Sequence, residues 1–263
     1  MPVVNGLYYS FHNGGPPQLP PVVLIHGAGG DHLGWPVQLR RLIGQRVLAP
    51  DLSGHGRSEG FACQSITDYS QQIMNFMNAL DIYKVILVGH SMGGAVAMQT
   101  ALQIPHQVLG LGLISTASRL DIVPDLLDDL QAKVPLGSVL HKLHDRLYSP
   151  HTDPQMARKG IERLSQVRPT ALYADWLACH KFDIESKLNK IKTPTWITVG
   201  KEDRLTTIDR VKRLADQLPN NIFNVIPNAG HMVILEQAEP LVQSLSEFIN
   251  NLERPKRYAW QHP

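Results

Sequence analysis

The chain has 263 residues, of which 43% are hydrophobic and 18% charged, the balance of one large globular domain or two small ones that can bury a core without disulfides or metals. A formal net charge of +2 is too weak a bias to point to nucleic acid or an anionic membrane as partner. Cys63 and Cys179 lack metal-like spacing and are expected as free thiols in a reducing cytoplasm. The start, 1–20, has no cationic segment followed by an apolar stretch, so no signal peptide is expected. The apolar runs fall far short of the roughly 20 residues of a membrane-spanning helix.

In chain order, Leu7 to Phe11 reads as a short strand and Gly14-Gly15-Pro16-Pro17 as a turn. Val22 to Ile25 is apolar at every position, the pattern of a strand buried on both faces. Leu33 to Ile43 reads as a helix and Val47 to Ala49 as a strand, followed by a loop holding Gly54, Gly56 and Gly60. Ile66, Tyr69, Ile73, Phe76, Met77 and Leu80 recur at helical spacing. Val85 to Val88 is another buried strand, Ala95 to Ile104 a helix stopped by Pro105, and Val108 to Ile114 a strand. Near the end come strand Thr195 to Val199, helix Ile208 to Leu218, strand Ile222 to Ile226 and a helix from about Glu239 to Leu252. The basic tail Arg254 to Pro263 reads as a partly ordered terminus.

Strands alternating with helices predict an α/β fold with a mostly parallel sheet flanked by helices. The alternation breaks between about Ala117 and Thr193. Only helix signals occur there: Pro124 to Ala132, Val139 to Leu147, Pro154 to Gln166 and Pro169 to His180. Four helices exceed what one crossover needs, so 117–193 is expected as a helical cap inserted into a core formed by 1–116 and 194–263.

Strand Val85 to Val88 runs into Gly89-His90-Ser91-Met92-Gly93-Gly94 and then a helix. This is the G-x-S-x-G nucleophile elbow, in which a sharp turn lifts a serine hydroxyl to the top of the sheet. By composition alone the pentapeptide arises in roughly one chain in ten of this length, so the strand–turn–helix context carries the weight. A serine needs a base, and the base needs a third group to fix its tautomer, in the chain order Ser, acid, His. Of twelve histidines, His231 in Asn228-Ala229-Gly230-His231 lies after a strand and before the last helix. His26 and His55 precede the serine, and His90, as its neighbour in the turn, should point away from it. Gly200-Lys201-Glu202-Asp203 follows another strand and supplies Asp203 as the acid, with Glu202 the neighbouring competitor. The donors for a developing oxyanion are then the amide of Met92 and one from His26-Gly27-Ala28-Gly29-Gly30, with Ala28 the natural candidate. That loop lacks the Lys-Ser/Thr of a phosphate loop and the spacing of a dinucleotide fingerprint.

The set His26-Gly27-x-Gly29, Asp51-x-x-Gly54-x-Gly56-x-Ser58, Gly89 to Gly94, Gly200-x-x-Asp203 and Gly230-His231 resembles the α/β-hydrolase superfamily. It is most similar to the single-cap branch holding small bacterial carboxylesterases, enol-lactonases, monoacylglycerol-lipase-like enzymes and C–C bond hydrolases. The resemblance implies a triad of Ser91, Asp203 and His231, an oxyanion hole of Ala28 and Met92, a mainly structural Asp51 to Ser58 loop, and Trp35 packed near the site. Epoxide hydrolases and dehalogenases of this fold carry Asp where this chain has Ser91, which argues against both.

The expected chemistry is attack of Ser91 on a carbonyl carbon, without metal or organic cofactor. The expected partner is a small-molecule ester with a short to medium acyl chain, held between the sheet edge and cap residues such as Leu126, Leu127, Leu143, Leu147, Leu172 and Trp176. The rival on the same triad is a C–C hydrolase, enol-lactonase or lyase acting on a carboxylate-bearing molecule. It calls for one of Arg119, Arg146, Arg158, Arg163 or Arg168 buried above Ser91. A slow-turnover ligand receptor is the reading from another class.

Overall fold

The apolar runs become the interior of one eight-stranded sheet. The computed structural model describes residues 2–121 and 124–252. The strands are β1 (Val3–Val4), β2 (Leu7–Asn13), β3 (Val22–Ile25), β4 (Arg46–Pro50), β5 (Val85–His90), β6 (Val108–Ile114), β7 (Thr195–Gly200) and β8 (Asn221–Ile226). They lie in the order β1-β2-β4-β3-β5-β6-β7-β8. β2 is antiparallel to β1 and β4, and every other pairing is parallel.

The helices are α1 (Val37–Arg40), α2 (Ile66–Ala79), α3 (Met92–Gln103), α4 (Pro124–Gln131), α5 (Leu136–Leu147), α6 (Pro154–Ser165), α7 (Pro169–His180), α8 (Ile208–Gln217), α9 (Val233–Glu236) and α10 (Ala238–Asn251). One face of the sheet packs on α2, α3 and α8 through Ile73, Phe76, Val96, Val211 and Leu214. The other packs on α1 and α10 through Leu39, Leu241, Leu245 and Phe248. Coverage of both faces is why β3, β5 and β7 are buried at every position, and mostly apolar, rather than alternating.

Two stretches differ from the sequence reading. Leu33 to Ile43 is not one helix but a 3₁₀ turn (His32–Gly34) and the single turn α1. Pro36 lacks the N–H a continuous helix needs and instead sits at the N-cap of α1. The chain then leaves helical geometry at Arg41. At the N-terminus, β1 and β2 form an unforeseen hairpin around Asn5 and Gly6, both at positive φ, as a two-residue turn requires. The tail at 254–263 lies outside the described residues.

Between β6 and β7 come α4 to α7, with an apolar cluster of their own built on Leu126, Val139, Leu140, Leu143, Leu172 and Trp176. The chain leaves and re-enters the sheet layer side by side, tied by an Arg119–Asp183 bridge and by the Ile184 N–H on the Ser118 carbonyl at 3.0 Å.

This topology creates the crevice. From β3 the chain steps to β4 on one side, then crosses to β5 on the other. The loops after β3 and β5 therefore diverge at their carboxyl ends, where open α/β sheets bind ligands.

Candidate active site

Ser91 terminates β5 at φ 54 and ψ −118, a backbone strained for a side-chain-bearing residue. Its neighbours show why the elbow needs glycine: a Cβ on Gly89 would come within 2.1 Å of the Gly93 carbonyl, and one on Gly93 within 1.9 Å of the Ile25 carbonyl. The turn is pinned by the Ser91 N–H on the Ile114 carbonyl at 2.8 Å, and the side chain is left only half-buried.

The Ser91 hydroxyl lies 2.9 Å from His231 Nε2, and His231 Nδ1 lies 2.9 Å from Asp203 Oδ2. Asp203 also accepts the amides of Leu205 and Thr206 at 2.9 and 2.8 Å and the Thr206 hydroxyl at 2.7 Å. Burial pushes this carboxyl up, but His231 and the Thr206 donors outweigh burial and hold it below the ordinary carboxylate range. An ionised Asp203 facing Nδ1 puts the proton there and leaves Nε2 to accept from Ser91. The two loops holding His231 and Asp203 are fastened together: Glu202 accepts the Ala229 amide at 2.8 Å, so this neighbour of Asp203 is a brace rather than a solvated charge.

His90 donates from Nε2 to the His231 carbonyl at 2.8 Å rather than to the Ser91 hydroxyl. Burial, and then the nearby His231, push its pKa down to about 3, so it stays neutral. No sequence signal foretold this contact, because β5 and the loop after β8 meet only in the folded sheet.

The loop after β3 lies directly over the elbow: a Cβ on Gly27 would sit 3.3 Å from Ser91 Cβ. Ala28 follows on this loop and lines the same cavity as Ser91, and Met92, the next residue along the chain, opens α3. Ala28, Trp35, Ser91, Trp176 and His231 all line one cavity of about 900 Å³. Its far wall comes from the inserted helices, including Leu126, Leu143 and Leu172. The indole N–H of Trp35 is buried without a partner among the described residues.

Asp31, His32 and Asp51 are close enough to hold a metal, but their atoms are engaged structurally. Asp51 accepts the His32 ring and amide at 2.8 and 2.6 Å and the Arg57 amide at 2.9 Å, while Asp31 caps the 3₁₀ turn and pairs with Arg163. Ser58 closes the same loop on the Asp51 carbonyl.

Residues 22–244 match the model of the alpha/beta hydrolase family. The chain belongs to that family. It is 28% identical over 259 residues to 3-oxoadipate enol-lactonase 1 of Acinetobacter baylyi, covering 95% of this chain and 96% of that protein. It is 27% identical to 2-hydroxy-6-oxo-6-phenylhexa-2,4-dienoate hydrolase of Burkholderia cepacia, over 88% of this chain and 87% of that one. Among solved structures, that of a thermophilic esterase superposes with a TM-score of 0.82 at 28% identity, covering 95% and 96% of the two chains. The hydrolase thus shares its fold with esterases, enol-lactonases and C–C hydrolases. Among its described residues no helix is long and apolar enough to cross a membrane.

Proposed function

We propose that the protein hydrolyses carboxylic esters of short to medium acyl chain through a Ser91–His231–Asp203 triad, with α4 to α7 acting as the cap over the substrate. The observation that carries this reading is the serine hydroxyl 2.9 Å from His231 Nε2, opening on the largely apolar cavity. Ser91 attacks the carbonyl carbon as His231 takes its proton, and the oxyanion forms against the Ala28 and Met92 amides. His231 then protonates the leaving alcohol while Asp203 stabilises the imidazolium. A water activated by His231 attacks the acyl-enzyme, releases the acid and returns the proton to Ser91. Trp35 and Trp176 both contribute to the acyl wall.

None of the five cap arginines is the buried cation above Ser91 that a carboxylate-bearing substrate calls for, although Lys159, Arg163 and Arg168 line the cavity. Arg119, Arg158, Arg163 and Arg168 are exposed, and the half-buried Arg146 does not line the cavity. Arg163 is committed to Asp31, and Arg168 to the Gly54 carbonyl at 3.0 Å. The names of the relatives keep C–C cleavage and lactone opening as the alternative on the same residues.

The test is hydrolysis of p-nitrophenyl acetate, butyrate and octanoate beside Ser91→Ala. The expected outcome is turnover in the wild type, favouring acetate or butyrate, and at least a roughly thousandfold loss of kcat in the variant. A wild type inert to all three esters but active on a carboxylate-bearing enol-lactone or C–C substrate would overturn the ester reading.

A further inference from the structure

Outside the catalytic row the molecule holds a second buried acid. Asp175 lies on cap helix α7, yet its side chain is fully buried against the core. Three donors converge on its two oxygens. Oδ2 accepts the Gly29 amide at 2.7 Å and His55 Nε2 at 2.8 Å, and Oδ1 accepts the Tyr69 hydroxyl. His55 Nδ1 in turn faces the Ser53 carbonyl at 3.0 Å, an atom that can only accept, so Nδ1 carries a proton. Nε2 lies 2.8 Å from the acid's Oδ2, and although burial works against a charged ring, Asp175 and the Ser53 carbonyl outweigh it and raise the His55 pKa, which favours the imidazolium. Tyr69 is fixed by the Cys63 amide, which donates to its oxygen at 2.9 Å. A buried acid stripped of such partners would be left with an uncompensated charge, so the network is held together as a unit.

The partner of consequence is Gly29. Gly27 to Gly30 form a turn closed by the Gly30 N–H on the Gly27 carbonyl at 3.0 Å, with Gly29 at φ +66. A positive φ at the third position is the type II arrangement, which differs from type I by a flip of the central peptide, here Ala28–Gly29. The Gly29 N–H belongs to that peptide, so its bond to Asp175 opposes the flip. The next peptide back carries the Ala28 N–H, and Gly27 abuts Ser91. The turn also packs closely on the cap, where a Cβ on Gly29 would come within 2.6 Å of Leu164 and 3.1 Å of Leu172.

We propose that Asp175 is a positioning residue for catalysis: by anchoring the Gly29 amide, the cap holds in place the turn whose preceding peptide presents the Ala28 N–H to the oxyanion. The cap is then part of the catalytic apparatus as well as a wall. This rests on the proposed acyl chemistry, because an oxyanion donor matters only if an oxyanion forms. The effect belongs in kcat rather than KM, since the ground-state carbonyl draws less on that donor than the tetrahedral intermediate does.

The test compares Asp175→Ala, Asp175→Asn and Tyr69→Phe with wild type, each at a temperature where circular dichroism shows it fully folded. A destabilised control, Leu245→Ala, alters the core on the opposite sheet face. Three readouts are taken: kcat and KM for p-nitrophenyl butyrate, the rate of Ser91 labelling by a fluorophosphonate, and hydrogen exchange of the peptide holding Gly27 to Gly30. Asp175→Ala should lose about thirtyfold or more in kcat and in labelling, somewhat less than outright deletion of an oxyanion donor. Its KM should stay within about threefold and Gly29 should exchange at least about tenfold faster, as expected when a transition-state contact alone is lost. Asp175→Asn, which keeps an oxygen for the Gly29 amide, should fall between. Leu245→Ala should lower Tm yet keep kcat within about threefold, as a purely structural change does. A folded Asp175→Ala or Asp175→Asn with wild-type kcat and labelling rate overturns the proposal, as does a loss confined to KM. Should neither Asp175 variant fold, Tyr69→Phe decides: labelling slowed about threefold or more supports the proposal, since one donor to a buried network is lost, and unchanged labelling overturns it. Labelling and exchange do not depend on the carboxylic substrate, so a wild type that labels at Ser91 but cleaves no ester refutes the ester reading alone.

Discussion

Two buried aspartate–histidine pairs stand on either side of the crevice, Asp203–His231 and Asp175–His55, at 2.9 and 2.8 Å. The aspartates are alike in burial and geometry. The histidines differ in what faces the second ring nitrogen. His231 turns it to the Ser91 hydroxyl, which can surrender a proton, whereas His55 turns it to the Ser53 carbonyl, which cannot. One pair is therefore placed to pass a proton, whereas the other is held between a carboxylate and a carbonyl and anchors backbone. A buried Asp–His contact alone does not identify a catalytic base; the third group does.

The largest break in this comparison is expected from His231→Ala, which should lose about 10³-fold or more in kcat, against about tenfold or less for His55→Gln, whose amide can still donate to Asp175. Equal losses in the two folded variants would erase the distinction. Asp203→Asn should cost about 10²- to 10⁴-fold, because an amide can donate to Nδ1 and favour the wrong tautomer. Its loss should appear in kcat, with the circular dichroism spectrum unchanged.

The pairs also separate in stability against pH. Burial works against a charged His55, but Asp175 and the Ser53 carbonyl outweigh it and raise its pKa. Asp51 adds to the rise, and the His26 ring 5.1 Å away is neutral, its own pKa lowered to about 4 by burial and then by the His55 charge. The His55 contribution is complete below the unfolded value of about 6.5 and is lost as pH climbs through the raised folded value. On the acid side, His26 and His90 refuse protons that the unfolded chain accepts below about 6.5, so stability falls on acidification toward about 4 and about 3. Tm measured from pH 4 to 9 should show both limbs in the wild type and a flattened alkaline limb in His55→Gln. An identical alkaline limb would contradict the His55⁺–Asp175⁻ assignment. The smallest effect is expected at Glu202: Glu202→Gln should cost only a few-fold in kcat, since its carbonyl oxygen can still take the Ala229 amide. A loss rivalling that of Asp203→Asn would make Glu202 the functional acid.

The two pairs were unequally legible in the sequence. Ser91, Asp203 and His231 each follow an apolar strand, and strand ends of a parallel sheet converge on one edge, so three distant residues could be brought together from local pattern alone. The α/β order was legible for the same reason. Asp175 lies amid Tyr173-Ala174-Asp175-Trp176 on a helix with little amphipathic character, and its partners are 106 to 146 residues away. No local rule links them. The hairpin at Asn5-Gly6 did carry a turn signal, masked by how short β1 is. The break at Pro36 was also visible, but the apolar spacing around it outweighed a single proline.

The most direct measurement is acid quench of the wild type during turnover of p-nitrophenyl butyrate, followed by mass spectrometry of the peptide spanning Ser91. A butyryl adduct on Ser91 that accumulates during turnover and decays when substrate is exhausted is the predicted result. Sustained turnover with no adduct on Ser91, or with the adduct on another residue, would contradict the account.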